Sequence, residues 1–175
     1  MALIKILQYP DPRLKRIAVP VIEFDENLHQ TIDDMFETHY AQTSCAALAA
    51  TQLDLSPAWR ITVIDFSDNK NEPLCLINPY IQSYHGEHTE LEGCMSVYPG
   101  LCYEKVTRAA QIELTAQDRW GKKFEMKAEG FMAKCIQHEV DHLDGKLYLD
   151  TLSSIKKQRL IKKIKKAQRI QEMRD

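Results

Sequence analysis

The segment His138–His142, with the sequence HEVDH, constrains the fold more than any other part of this 175-residue chain. Histidines four residues apart lie on one face of an α-helix, where both imidazoles can reach a single metal ion. Apolar residues between Phe131 and Leu143 predict that the helix is buried, and a buried histidine pair without a partner would be costly. The motif therefore predicts a buried metal-binding helix, with two solvated histidines on a surface helix as the alternative.

Glu139 lies beside the two histidines in this motif. A carboxylate next to a water molecule held by a metal ion can accept the proton of that water and later deliver it to a leaving amine. We therefore predict that Glu139 is the general base and acid of a hydrolase.

A catalytic metal ion needs a third protein ligand and one open position. After the second histidine, only Asp144 and Asp150 could supply that ligand. Cys94 is the better candidate because it follows a glycine and its thiolate is a soft, charged donor. We therefore predict a metal site formed by Cys94, His138 and His142, although a lone cysteine is more often a small buried side chain.

The cysteine content and the apolar segments indicate the compartment. Five cysteines, an odd number without the spacing of a disulfide framework, suit a reducing environment. The first residues lack the apolar run of a signal peptide, and no apolar stretch of about 18 residues occurs. We expect a cytoplasmic protein with no membrane partner.

The formal net charge of −2 conceals a basic C-terminal segment. Residues 151–175 carry nine Lys and Arg residues against two acidic ones, so the remainder is acidic. Apolar residues at helical spacing from Ser153 onward predict a basic amphipathic helix: Ile155, Leu160, Ile161, Ile164 and Ile170. This segregation favours a polyanionic partner, and a solvated helix face is the alternative.

The apolar periodicity predicts an α+β fold, with mixed or antiparallel sheets packed around the central metal-binding helix. Helices are predicted at 25–40, 130–142 and from 153, and strands at 61–66, 74–78, 112–116 and 123–127. Gly145 is predicted to end the second helix in a left-handed conformation. We expect residues 1–152 and the basic helix 153–175 to form one domain, preceded by an irregular proline-rich arm.

Three motifs resemble those of the peptide deformylase family, whose members remove the formyl group from the N-terminal methionine of new bacterial proteins. They are LAATQ at 48–52, EGCMS at 92–96 and QHEVDH at 137–142. The segment YPDPRL at 9–14 also resembles the opening of that family. The resemblance therefore extends over essentially the whole chain.

The resemblance implies a role for each matching residue. It implies that Cys94, His138 and His142 bind one Fe(II) ion, replaceable by Zn(II) or Ni(II), while Gln52 and the backbone N–H of Met95 stabilise the oxyanion. The substrate contacts that we expect are Ala46, Ala47, Gly93, Phe131, Lys134 and Cys135. The implied substrates are N-formylated nascent peptides, and the basic helix is implied to dock on the ribosome.

The chain departs from the family pattern near the expected site. Cys45 and Ala47 replace glycines of the first motif, and their side chains are expected to narrow or reshape the groove. Cys45 could pair with Cys94 or be a small buried side chain. Lys134 lies one helical turn before His138, where an ammonium disfavours an apolar substrate group unless its stem turns to water.

Two alternatives to a methionine-specific deformylase follow from these departures. The first is a divergent paralogue that acts on another N-acyl group or another first residue. The second is a ribosome-binding module that is not an enzyme and retains a metal site. Glu139 and Gln52 argue against the second, because a binding module needs neither a proton shuttle nor an oxyanion donor.

Overall fold

The computed structural model describes residues 2–174, and within that range the protein has three α-helices, seven β-strands and three short 3₁₀ helices. The 3₁₀ helices are Pro12–Lys15, Ala50–Gln52 and Tyr148–Thr151. The other elements, in chain order, are α1 (Glu26–Tyr40), β1 (Ala47–Ala49), β2 (Ile61–Ile64), β3 (Leu74–His85), β4 (His88–Glu92), β5 (Glu104–Arg108), β6 (Gln111–Gln117), β7 (Lys123–Glu129), α2 (Gly130–Leu143) and α3 (Ser154–Glu172). The predicted α+β class is confirmed.

The strands form two antiparallel sheets. The larger sheet has the order β1-β2-β3-β6-β7, and β4 pairs with β5 in a separate two-stranded sheet. Strands β6 and β7 form the predicted hairpin, in which the N–H of Gly121 donates to the carbonyl of Asp118 at 3.0 Å. The small sheet was not predicted, and it leads directly into Cys94.

Helix α1 packs against β1 and β2, the first two strands of the large sheet in the chain. The side chain of Asp25 accepts a hydrogen bond from the N–H of Leu28 and so caps the helix. One helix face then buries Leu28, Ile32 and Met35 against residues of β2 and β3 that include Val63. The helix predicted at 25–40 is confirmed.

Helix α2 packs across the large sheet and carries the HEVDH motif. Ala133, Ile136 and Val140 are buried in one cluster with residues of the sheet. Gly145 follows the helix with φ of +76°, and a Cβ at this position would lie 2.5 Å from the carbonyl oxygen of Lys15. The predicted left-handed terminator is thus confirmed, and the close approach of the N-terminal arm also requires glycine.

Helix α3 is held to the body by few side chains. Leu160 and Ile164 are buried in a cluster that also contains Tyr148 and Cys94. Ile155 and Ile170 are exposed, so only part of the predicted apolar stripe contacts the body. None of the helices within residues 2–174 has the length and apolarity needed to span a bilayer.

Candidate metal centre

Three side chains from two separate elements meet in the interior. Cys94 follows β4, whereas His138 and His142 lie one turn apart on α2. Cys94 Sγ is 3.2 Å from His142 Nε2, which is 3.1 Å from His138 Nε2, and the three ligand atoms all lie within 4.8 Å of one another. The structure therefore brings together the three residues that the sequence predicted as metal ligands.

A buried carboxylate orients the first of these histidines. Glu92, at the end of β4, accepts a hydrogen bond from His138 Nδ1 at 2.5 Å and a bidentate ion pair from Arg108. The Arg108 guanidinium also reaches Asp141 on α2 at 2.9 Å. Burial opposes ionisation of Glu92, but the hydrogen bonds from His138 and Arg108 outweigh it and lower the pKa of Glu92 to about 2. Because Nδ1 is occupied, Nε2 of His138 is left to face Cys94 and His142.

Glu139 is buried beside the same cluster. Its Oε2 atom has no hydrogen-bond partner among residues 2–174. Burial raises the pKa of Glu139 to about 7, and the neighbouring Glu92 carboxylate acts in the same direction. The Glu139 carboxyl group thus combines an oxygen without a partner in residues 2–174 with a pKa near neutrality.

Gln52 is held in one orientation at the end of a 3₁₀ helix. Its Oε1 accepts a hydrogen bond from the N–H of Ala49 at 2.9 Å, while its Nε2 donates to Ser96 Oγ at 3.1 Å. The Nε2 atom also lies 3.5 Å from Cys94 Sγ. Gln52 therefore presents its amide donor next to the thiol, and Ser96, which sequence reasoning missed, fixes that orientation.

A cavity of about 680 Å³ opens onto this cluster. All six predicted substrate contacts line it: Ala46, Ala47, Gly93, Phe131, Lys134 and Cys135. Cys94, His138, Glu139, Gln52 and Met95 also line the cavity, whereas His142 is almost fully buried. Apart from His142, the residues predicted to bind metal, transfer the proton or contact substrate thus line one cavity.

Gly93 allows a close approach on the wall of this cavity. A Cβ atom at position 93 would lie 2.6 Å from Cε1 of Tyr103, whose ring also lines the cavity. The glycine therefore permits the Tyr103 ring to pack against the backbone next to Cys94. The loop after the cysteine motif borders the groove through Pro99, Gly100 and Tyr103.

The donor set fits a single divalent metal ion. In a tetrahedral site with bonds of about 2.0–2.3 Å, the ligand atoms lie about 3.3–3.7 Å apart. Two separations seen here, 3.1 and 3.2 Å, are close to these values, and all three ligand atoms lie within 4.8 Å of one another. Burial lowers the pKa of His142, which keeps that imidazole neutral as ligation requires. Cys94, His138 and His142 would therefore hold the ion, next to the cavity.

Comparison with known proteins identifies the family. A family model described as polypeptide deformylase matches residues 3–158. Peptide deformylase 1 from Coxiella burnetii (strain RSA 493 / Nine Mile phase I) is 61% identical over 165 residues, which cover 94% of this chain and 96% of that protein. The chain belongs to the peptide deformylase family.

Solved structures of peptide deformylases have the same fold. The crystal structure of a peptide deformylase from Legionella pneumophila is 44% identical, with a TM-score of 0.88 over 97% of this chain and 98% of that one. The peptide deformylase from Ehrlichia chaffeensis in complex with actinonin is 34% identical, with a TM-score of 0.86 over 97% and 99%. The family resemblance inferred from the motifs is confirmed.

Lys134 departs from the pattern expected for a peptide deformylase, but its charge is not isolated. The Nζ atom is 2.8 Å from Glu90 Oε2 and 3.3 Å from the carbonyl oxygen of Leu91. It also lies 4.9 Å from the centre of the Phe131 ring. Although Lys134 lines the cavity of this peptide deformylase, a carboxylate from β4 balances the ammonium.

Cys45 also departs from that pattern. Its thiol lies 3.2 Å from Nδ1 of His39, and Nε2 of the same ring is 3.0 Å from the carbonyl oxygen of Asp65. Burial raises the pKa of the Cys45 thiol to about 12, which disfavours the reactive thiolate. Cys45 and Cys94 are both free thiols, and Cys45 has partners of its own in α1 and β1.

Proposed function

We propose that this protein is a metal-dependent hydrolase that removes the N-formyl group from the N-terminal methionine of nascent polypeptides. The observation that carries the proposal is the convergence of Cys94, His138 and His142 next to the cavity, beside Glu139, whose Oε2 has no hydrogen-bond partner among residues 2–174. Family membership supports the same chemistry, because the relatives and the solved structures are named as peptide deformylases.

One divalent ion, which we propose to be Fe(II) with Zn(II) or Ni(II) as substitutes, would act as a Lewis acid at the formyl carbonyl and lower the pKa of a water molecule. A thiolate and two imidazoles suit each of these metals. Glu92 contributes by fixing the tautomer of His138, and Arg108 holds the Glu92 carboxylate in place.

Glu139 moves the proton in this proposal. Its carboxylate accepts a proton from the attacking water and delivers it to the amine nitrogen as the bond between that nitrogen and the formyl carbon breaks. The products are formate and a peptide with a free amino terminus. The absence of a hydrogen-bond partner for Oε2 among residues 2–174 leaves that oxygen available for the transfer.

Gln52 and the backbone N–H of Met95 stabilise the developing oxyanion. The Gln52 amide is restrained at both ends, so that its donor is oriented before the reaction begins. Preorganised donors of this kind lower the barrier because they need not reorient as charge develops. The side of the cavity formed by Ala46, Ala47, Gly93, Phe131, Lys134 and Cys135 holds the peptide.

The experiment is formate release from a formyl-Met tripeptide by anaerobically purified protein loaded with Fe(II), Ni(II) or Zn(II). We expect about one bound ion per chain, turnover with the formyl peptide and little with its acetyl counterpart. The variant Cys94→Ser should lose metal and turnover together. Cys75→Ser is the matched control, because it removes a free thiol from β3 outside the cavity.

Two outcomes would contradict the proposed function. One is folded protein that binds no transition metal under anaerobic conditions. The other is protein that holds a full complement of metal and releases no formate from formyl-Met peptides. Binding of actinonin, which the Ehrlichia chaffeensis peptide deformylase binds, provides an additional test of the site that is independent of turnover.

The proposed setting is the cytoplasm, with the ribosome as the partner of helix α3. On that helix Lys156 and Lys157 lie near acidic side chains of the body. Six further basic residues are exposed and make no ion pair among residues 2–174: Arg159, Lys162, Lys163, Lys165, Lys166 and Arg169. A cationic face of this kind suits the phosphates of ribosomal RNA.

A further inference from the structure

The Lys134–Glu90 ion pair joins helix α2, which carries His138 and His142, to strand β4, which leads into Cys94. Lys134 precedes His138 by four residues on α2, and Glu90 precedes Cys94 by four residues on β4. Lys134 lines the cavity, whereas Glu90 is not one of the lining residues. The Nζ atom lies near the carbonyl oxygen of Leu91 and the Phe131 ring, and both of these residues also line the cavity. The ammonium therefore lies at the edge of the cavity, and the carboxylate that balances it belongs to a residue outside the lining.

We propose that Glu90 is a positioning residue that sets substrate specificity, because it neutralises the Lys134 ammonium and so allows the cavity to accept an apolar first side chain. This inference rests on the proposed function and deepens it. According to this inference, a residue outside the cavity sets the preference of the enzyme between formyl peptides with an uncharged and with an acidic first side chain.

The position of the ammonium explains why its charge matters. Four residues along a helix correspond to about 6 Å, so Lys134 lies roughly one side chain away from His138. A peptide whose formyl group lies at the metal ligands would bring its first side chain to this wall. An apolar side chain that covers an unpaired ammonium would displace its water without replacing the hydrogen bonds, which is unfavourable.

The ammonium would remain at the wall if the charge of Glu90 were removed. Its second acceptor is the carbonyl oxygen of Leu91, and the Phe131 ring lies on another side. A glutamine at position 90 could still accept a hydrogen bond from Nζ through its amide oxygen. The substitution Glu90→Gln therefore removes the compensating charge while it leaves the geometry of the wall largely unchanged.

The two members of the pair are not equivalent. The Lys134 side chain is 17% exposed, whereas that of Glu90 is 41% exposed and has a second partner in His88, at 2.7 Å. An unpaired charge is costlier where it is less hydrated. Loss of Glu90 leaves the less exposed ammonium unpaired, so it should lower activity on an apolar substrate more than loss of Lys134 would. If the pair served only to hold β4 against α2, loss of either partner should have the same effect on activity.

The test measures kcat and KM for three formylated tripeptides that differ only in the first residue, which is Met, Gln or Glu. The three side chains are similar in length and differ in polarity and charge. For Glu90→Gln we expect kcat/KM with the Met peptide to fall about tenfold, mainly through KM, a factor that corresponds to about 1.4 kcal/mol. The preference for the Glu peptide over the Met peptide should rise by at least the same factor.

Two further variants separate charge from structure. The double variant Glu90→Gln/Lys134→Met should recover most of the lost kcat/KM with the Met peptide, because it removes the unpaired ammonium. The control is Glu113→Gln, since Glu113 forms a Lys–Glu pair with Lys127 at 2.7 Å and is 40% exposed, on the large sheet away from the cavity. It should leave the ratio between the peptides unchanged.

Three results would overturn the inference. Glu90→Gln could leave the ratio between peptides the same as Glu113→Gln does, it could lose all three activities in equal proportion, or the double variant could fail to recover the Met peptide. If the wild-type protein with bound metal turns over none of the peptides, the proposed function fails and this inference fails with it. If the wild-type protein is active but Glu90→Gln leaves the ratio of kcat/KM between the peptides unchanged, only this inference fails.

Discussion

Helices α2 and α3 are both amphipathic, but they meet their surroundings in opposite ways. Helix α2 buries nine residues, among them His138, Glu139 and His142, whereas the longer α3 buries only Leu160 and Ile164. On α2, Lys134, His138 and Asp141 have charged partners, and Glu139 is buried beside them. Most of the charged groups on α3 lie in solvent.

The contrast has an electrostatic reason. Charges in a dry interior interact strongly, so Glu92, Arg108 and Asp141 can fix the orientation of His138, a candidate metal ligand. Charges on an exposed helix are screened over about 8–10 Å at physiological salt and restrain one another little. We therefore expect single substitutions around α2 to change chemistry, and substitutions on the exposed face of α3 to change only binding to polyanions.

The largest effect that this comparison predicts is the loss of the Glu139 carboxylate. Glu139→Ala should lower kcat on formyl-Met peptides by about 10²–10⁴ while bound metal is retained, because the proton acceptor is lost and the ligands are not. Metal content and steady-state kinetics check it. Glu37→Ala is the matched control, since the Oε2 of Glu37 is another buried carboxylate oxygen without a partner among residues 2–174, but on α1. Substantial activity in Glu139→Ala would remove this residue from the mechanism.

The next effect concerns the network behind His138. Glu92→Gln should weaken metal affinity by about 10–100-fold and lower the free energy of unfolding by about 3–5 kcal/mol, because Arg108 would lose its buried counterion. Metal titration and urea denaturation measure the two quantities. Asp144→Asn, which breaks an exposed pair with Arg60, should cost at most about 1 kcal/mol. An equal loss of unfolding free energy in Glu92→Gln and Asp144→Asn would mean that burial of charged partners does not increase their contribution to stability.

Sequence patterns predicted the elements whose apolar residues recur regularly. Helices α1, α2 and α3, strand β2 and the β6–β7 hairpin all begin and end close to the predicted residues. Strand β4 was missed because its pattern is inverted: the apolar Leu91 is 58% exposed, while the next residue, Glu92, is buried. Strand β5 was missed because Val106 is its only apolar residue. Strand β3 continues beyond the predicted segment to His85, through alternating exposed residues such as Tyr80 and Tyr84.

The sequence predicted the main site residues but not their hydrogen-bond partners. The motifs predicted the three ligand candidates together with Glu139 and Gln52, which the fold brings together. The partners of these residues were missed, because Glu92, Arg108 and Ser96 come from different elements and only the fold places them in contact. An acidic residue between Leu91 and Gly93 was the one available sign, since a carboxylate next to a ligand motif can serve as the partner of a histidine.

A smaller effect should arise where α3 contacts the body. Leu160→Ala should lower the free energy of unfolding by about 2–4 kcal/mol and the Tm by several degrees, because it leaves a cavity in the cluster that includes Tyr148 and Cys94. Ile155→Ala, on the same helix but exposed, should change stability by less than about 0.5 kcal/mol. Thermal denaturation of the two variants decides the point. A similar Tm for both would show that α3 is not anchored through Leu160.

The smallest effect on the enzyme itself is expected from the exposed lysines of α3. The triple variant Lys162→Gln/Lys163→Gln/Lys166→Gln should leave stability and turnover near those of the wild type. It should weaken co-sedimentation with ribosomes and reduce its dependence on salt, because each lysine that contacts a phosphate contributes about one unit to the salt slope. Substitution tests the charge better than removal of residues 153–175, which would also delete Leu160 and Ile164 from the core.

The matched control for these lysines is Lys15→Gln/Lys122→Gln/Lys123→Gln, which removes three exposed charges from the body. A loss of binding that depends on net charge alone would be the same for both triple variants, whereas docking through α3 requires the helix variant to bind more weakly. Equal binding of the helix variant and the wild type at every salt concentration would contradict the assignment of α3 as the docking surface. In that case the basic face would only be a solvated surface. Helices α2 and α3 would then differ only in how they pack against the rest of the protein.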